Sequence, residues 1–291
     1  MVSSAREMSS SLHWWLLRWP LRLSEFLGRQ FLGRCGTVAS VLAVLWAALM
    51  LAIRPSSWTA PTRTVMSRQL FFTAVDAVPL VIRFGAAVGI LIIVEAALWI
   101  DALGVSTDVM IPMLWRAAVR EVGPLLACLV VIGRSGVAIS TELATMVVSG
   151  EVEVLDAQGI DPMTYLVMPR ILAVVISVFS LAIVLSFAII ATGYSIGWLM
   201  GAIRMPWSLF LDDILREFNR VDLLFFGSKT MIAGAFAGAI CCLDGIRVSG
   251  TLTDVPRVSS ISAIRALTAV FAVSAILSIL IYGRLLAFRI G

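Results

Sequence analysis

From residue 77 onward, long apolar runs alternate with short polar stretches, and each run is broken by at most two charges. A helix needs about 20 apolar residues, at 1.5 Å each, to cross the hydrocarbon layer of a bilayer. Five runs qualify: 77–100 with Arg83 and Glu95 inside it, 122–148 with Arg134 and Glu142, 171–203 with no charge, 223–243 with Lys229, and 266–283. The third is too long for one straight crossing, so it is expected to tilt or project. Upstream, Trp14, Trp15, Trp19 and Phe26 alternate with Arg18, Arg22 and Arg29 to about residue 32, the pattern of a helix lying in the membrane interface. The run 38–53 is apolar but short and stops at Arg54-Pro55. It is expected to form an interfacial or re-entrant elbow, with a short true span as the alternative. The pattern therefore predicts an all-α integral membrane protein. Residues 1–67 form an interfacial and elbow region, and 68–291 a bundle of about five transmembrane helices.

Composition supports the bilayer as solvent. Sixty per cent of the 291 residues are hydrophobic and 14% charged, where a soluble domain is nearer half and a quarter. The net charge of +4 is almost wholly arginine, with one lysine, Lys229, and one histidine, His13. These arginines are dispersed and suit anionic headgroups and topology control, not nucleic acid. Cys35, Cys128, Cys241 and Cys242 lack metal-ligand spacing, so no metal is expected. Gly227-Ser228-Lys229-Thr230 is not a phosphate-binding loop, because Leu223 stands at the first glycine position. No cofactor or nucleotide is expected on this chain.

Eight arginines precede the first run, and only Arg116 and Arg120 follow it closely. That bias predicts a cytoplasmic N-terminus. With five spans, the loops 149–168 and 244–265 then face the cytoplasm. The first is acidic and amphipathic: Glu151, Glu153, Asp156 and Asp161, with Val152, Val154 and Leu155 interleaved. It is either a docking helix or a solvated loop. Glycines four apart predict close helix contacts at Gly85 and Gly89, along a stripe of Gly193, Gly197 and Gly201, and at Gly234 and Gly238. Arg134 and Glu142, two helical turns apart, are expected to pair with groups on neighbouring helices or to relay motion. Lys229 and Arg83 are the other isolated cations. Glu95 pairs with an arginine, lines a cavity, or relays protons.

Residues 120–170 carry a denser signal. Arg120, Glu121, Gly123 and Pro124 are followed by Gly133, Arg134 and Gly136, then by Glu142, Thr145 and Met146. Gly159, Asp161, Pro162, Tyr165, Leu166, Pro169 and Arg170 complete the series. This series resembles the MlaE/YrbE permeases, the membrane subunits of Mla- and Mce-type lipid ABC transporters. Weaker matches, at Arg68-Gln69-Leu70, at Gly85 and Gly89, and at Asp222 with Ser228-Lys229, extend the likeness from residue 68 to the C-terminus. The chain also departs from the family pattern. Glu95 replaces a usual glutamine, Gly150 replaces the first glutamate of a cytoplasmic motif, and 255–260 replaces a glycine-rich turn.

The resemblance implies a homodimer in a bacterial inner membrane. It implies a cytoplasmic ABC ATPase dimer that carries the ATP, and an MCE-domain protein on the outer side. It further implies a cavity for phospholipid or another hydrophobic molecule at the dimer interface, between the first and fifth spans. On the first span its lining would be Leu91, Val94, Glu95, Leu98 and Trp99. Glu151, Glu153, Val154, Leu155 and Asp156 would couple to the ATPase. A secondary transporter driven by an ion gradient is the alternative, although no repeated halves are visible. A lipid-modifying enzyme would need clustered catalytic groups, whereas the charges are scattered.

Overall fold

The computed structural model describes residues 36–103, 118–217 and 220–290. The described residues are helical, joined by short turns. We number the helices α1 (Gly36–Ile53), α2 (Ala60–Leu70), α3 (Val78–Leu103), α4 (Gly123–Val131), α5 (Val137–Val148), α6 (Glu151–Ala157), α7 (Met168–Leu199), α8 (Trp207–Glu217), α9 (Arg220–Ile246) and α10 (Val255–Ile290). The interfacial helix expected before residue 32 lies outside the described residues.

Among the described residues, six stretches are long and apolar enough to cross a membrane: Gly36–Ile53, Ala60–Leu98, Ala118–Val148, Met163–Leu199, Val221–Ile246 and Leu252–Leu280. Five overlap the runs expected from the sequence. The sixth is α1, an unbroken helix of 18 residues. The chain up to Trp46 and the chain from Ala47 onward form separate compact units.

The centre of the second unit is α7. Helices α2, α3, α4 and α9 all pack against it, while α9 also packs against α5 and α10. Sixteen of its residues are buried, among them Ser177, Leu181, Leu185 and Ile189. From Ile171 onward its sequence carries no charge, as suits a central helix that sees protein on most sides; Arg170, in its first turn, is buried with an ion-pair partner. The closest approach is that of α3. A Cβ added to Gly85 would sit 2.7 Å from Ala188 Cβ, and one added to Gly89 would meet the Ile189 carbonyl at 2.5 Å. Only glycine lets the two backbones come this near, which is how small residues serve helix contacts in lipid.

The glycine stripe expected on α7 is shorter than the spacing suggests. Gly193 and Gly197 lie on the helix, but Gly201 has φ +73° and falls beyond Leu199. It is the left-handed residue just past the C-cap, where glycine lacks the Cβ penalty. The chain then doubles back, and the Ile203 amide donates to the Gly197 carbonyl at 3.0 Å.

A second correction concerns the loop expected over 244–265. Most of it is helical: α9 runs to Ile246 and α10 begins at Val255. It is expected as a loop because it separates two apolar runs. Ser259 and Ser260 donate to the carbonyls of Val255 and Pro256, four residues back, an alternative that lets serine sit inside a helix.

α8 is an amphipathic helix not anticipated from the sequence. Its Phe210 and Ile214 are buried while Leu209 and Leu215 are exposed. Trp207 and Phe210 pack against Tyr194 at ring separations of 4.8 and 4.9 Å, which pins α8 to the far end of α7.

Candidate functional site

Four turns of π-helix interrupt the described spans: Phe71–Val75, Ala118–Val122, Ile132–Gly136 and Met163–Val167. A π turn inserts one residue and re-aims the side chains around it, and such turns often mark functional positions. Here they carry or adjoin the charged motif residues. Arg120 and Glu121 lie on the second, Arg134 on the third and Tyr165 on the fourth, and Asp76 follows the first.

The charges form two groups near opposite ends of the bundle. The first gathers where α4, α9 and α10 meet. Lys229 on α9, only 1% exposed, donates to both Glu121 and Ser278 of α10, with Ser278 Oγ at 3.1 Å. Ser278 in turn donates to Glu121 at 3.2 Å. Beside it, Arg120 meets Asp222 at 2.8 Å, with both side chains buried. The Phe225 ring lies under both cations, 4.9 Å from Arg120 and 5.2 Å from Lys229. An unpaired charge in this setting would be expensive. Here each has an opposite charge from another segment, which ties three helices together.

The second group lies about 20 Å (Arg134) to 30 Å (Glu142) along the α4–α5 rod, by its 1.5 Å rise. Arg170, 3% exposed, meets Glu142 at 2.9 Å and donates to the Leu166 carbonyl at 3.0 Å. Gln69 of α2 donates to the other Glu142 oxygen at 3.3 Å. Arg134 donates to the Phe72 carbonyl at 2.6 Å, reaches Asp76 at 3.7 Å, and covers the Phe72 ring at 4.7 Å. Arg134 and Glu142 therefore both engage the segment from Gln69 to Asp76. A cavity of about 470 Å³ opens here, between α2, α5 and the turn leading into α7.

At the same end, α6 stands off the bundle. Gly150, φ +78°, precedes it, and Gly159, φ +75°, follows its C-cap Gln158. Both positive φ values favour glycine. None of its residues is buried. Glu151, Glu153 and Asp156 are exposed, Val154 is 56% exposed, and Leu155 is half-buried. The segment expected to be a docking helix or a loop is thus a short helix with an acidic, partly apolar face. Val248 and Val255 pack with Ala144 beside its base, so the α9–α10 turn lies at the same face.

On α3, Leu91 and Leu98 are 65% and 61% exposed. Glu95 is exposed on the same helix and has no ion-pair or hydrogen-bond partner among the described residues. Val94 is half-buried, and the Trp99 side chain lies outside the described residues. Arg83 is also exposed. The sequence marks Glu121 and Asp222 as motif members and Arg120 as a motif and loop residue, but gives no pointer to Ser278. A serine inside an apolar run gives no sign that it caps a buried ion pair from 157 residues away. No group of three or more metal-ligating side chains occurs among the described residues.

A family model described as Permease MlaE matches residues 66–280. A probable ABC transporter permease protein of Rickettsia felis is 25% identical over 227 residues, covering 77% of this chain and 84% of its own. One from Rickettsia typhi is 23% identical over 225 residues with the same coverage. The chloroplastic protein trigalactosyldiacylglycerol 1 of Arabidopsis thaliana is 28% identical over 131 residues, 45% of this chain and 37% of its own. With six apolar helices among its described residues, paired intramembrane charges and a family match across three quarters of its length, this chain is a multi-pass membrane protein belonging to the MlaE permease family.

Proposed function

We propose that the chain is the permease subunit of an ABC transporter that moves phospholipid or another hydrophobic molecule between the inner membrane and the cell envelope. A separate ATPase supplies the energy. The observation that carries this reading is α6, a charged helix that projects beside a bundle of apolar spans and buries none of its residues. A helix so exposed contributes little to the fold, and its acidic face suits a partner. The permease names of the relatives support an ATPase as that partner. A lipid cargo accords with the lipid named in the Arabidopsis relative and with the apolar surface of α3.

In this reading two copies pair through the exposed face of α3, where Leu91, Glu95 and Leu98 face outward. An MCE-domain protein binds at the end opposite α6, where α8 sits. The α6 end is cytoplasmic, and with α1 as an elbow that does not cross the bilayer, so is the N-terminus. The test is to reverse Glu151, Glu153 and Asp156 together to lysine. The expected result is loss of the ATPase from the purified complex with the permease still folded. Undiminished co-purification removes α6 as the docking element.

A further inference from the structure

The cavity at the α6 end belongs to neither site assigned above. It lies some twenty residues of helix, about 30 Å, from Leu91 to Leu98 on α3, and its lining contains no residue of α6. Val65, Phe72, Met146 and Leu166 supply apolar walls. The polar lining is Arg68, Gln69, Glu142, Tyr165 and Arg170.

The charges in it do not cancel. Arg170 neutralises Glu142 at 2.9 Å, and Gln69 occupies the second carboxylate oxygen. Arg68 lies on the exposed side of α2 and has no ion pair among the described residues. Neither does the Tyr165 hydroxyl, half-buried on its π turn, have a hydrogen-bond partner among them. The cavity therefore presents one uncompensated cation and one free hydroxyl donor above apolar walls. The Phe72 wall is itself partly exposed. An anion would be met by Arg68 and Tyr165, while the walls favour an attached hydrocarbon.

We propose that this cavity binds the phosphate headgroup of an anionic lipid from the leaflet on the α6 side. Only the identity of that leaflet rests on the transporter reading; the pocket chemistry does not. Glu142 acts as part of the rigid floor, held by Arg170 and Gln69, and Arg68 provides the attraction.

The experiment uses the full chain in nanodiscs of phosphatidylcholine with added phosphatidylglycerol. Native mass spectrometry counts the anionic lipid retained after extraction. Arg68→Gln should weaken retention about fivefold, the worth of one basic side chain against an anionic lipid, and Arg68→Lys should restore most of it. Arg63→Gln, on the same helix but outside the cavity, should change nothing. Met146→Trp should exclude the lipid by volume with Arg68 intact. Equal losses for Arg63→Gln and Arg68→Gln would reduce the effect to general surface charge and overturn the site. So would full retention in Arg68→Gln. Displacement of the lipid by millimolar inorganic phosphate alone would assign the pocket to a free anion instead. The transporter reading fails separately, if the ATPase does not bind while the Arg68 dependence stands.

Discussion

At the scale of single residues, the structure turns on how a lysine and several arginines are kept inside an apolar bundle. Lys229 is fully enclosed, and Glu121 with Ser278 accounts for its charge and two of its three donors. Breaking a buried pair from one side leaves the other charge stranded, at a cost of about 3–5 kcal/mol. Glu121 keeps a third of its side chain exposed, which places this pair at the lower end. Lys229→Met is therefore expected to destabilise the protein by about 3 kcal/mol, read as a lowered thermal midpoint in detergent. Adding Glu121→Gln to that variant should recover much of the loss, because both charges are then gone. Equal midpoints for Lys229→Met and wild type would mean the pair contributes nothing to stability. Glu95 is the contrasting case, an exposed acid without a partner among the described residues. It is free to contact a second copy or a cargo headgroup.

At the scale of elements, the α3–α7 contact depends on what is missing from it. The nearest heavy atoms leave no room for a side chain at Gly85. Gly85→Ile should force the helices apart and destabilise the bundle by about 1–3 kcal/mol, the usual cost of overpacking, while Gly133→Ala, where a Cβ meets nothing within 4 Å, should melt like wild type. α6 should behave oppositely to α3. Since it buries nothing, the triple reversal at Glu151, Glu153 and Asp156 should leave the thermal midpoint unchanged even as it removes the ATPase.

These elements also show what the sequence made legible. The spans were readable because an apolar run of about 20 residues has few soluble explanations, and the α3 glycine step because backbone proximity demands a missing Cβ. The start of α10 was not, since it falls between two apolar runs. α8 was hidden for another reason. Its apolar positions Trp207, Phe210 and Ile214 follow a helical period, but Asp212 and Asp213 between them dilute any average over the segment. The π turns were invisible as well: their sequences, FFTAV, AVREV, IGRSG and MTYLV, share no pattern that sets them apart from the apolar helices around them. That is why the partners of Arg134 and Glu142 could be expected to exist without being named.

At the scale of the whole molecule, the bundle has two unlike ends and one unlike side. The α6 end is acidic at its tip and carries the Arg68 cavity. The other end holds the Lys229 cluster and α8. The side formed by α3 exposes Ile82, Phe84, Ile90, Leu91 and Leu98, a stripe suited to lipid or to a second copy. If two copies meet there, Leu91→Cys in a background lacking the native cysteines should form a disulfide-linked dimer under mild oxidation, and Val154→Cys on α6 should not. Absence of the Leu91→Cys dimer at every oxidant level tried would move the interface to another face.

The most direct measurement is lipid movement in sealed vesicles containing this permease with and without its ATPase. ATP hydrolysis should drive labelled phospholipid between vesicle and acceptor only when both proteins are present, and a proton or sodium gradient should drive none. Movement by the permease alone, powered by an ion gradient and unaffected by nucleotide, would contradict the function assigned to these helices.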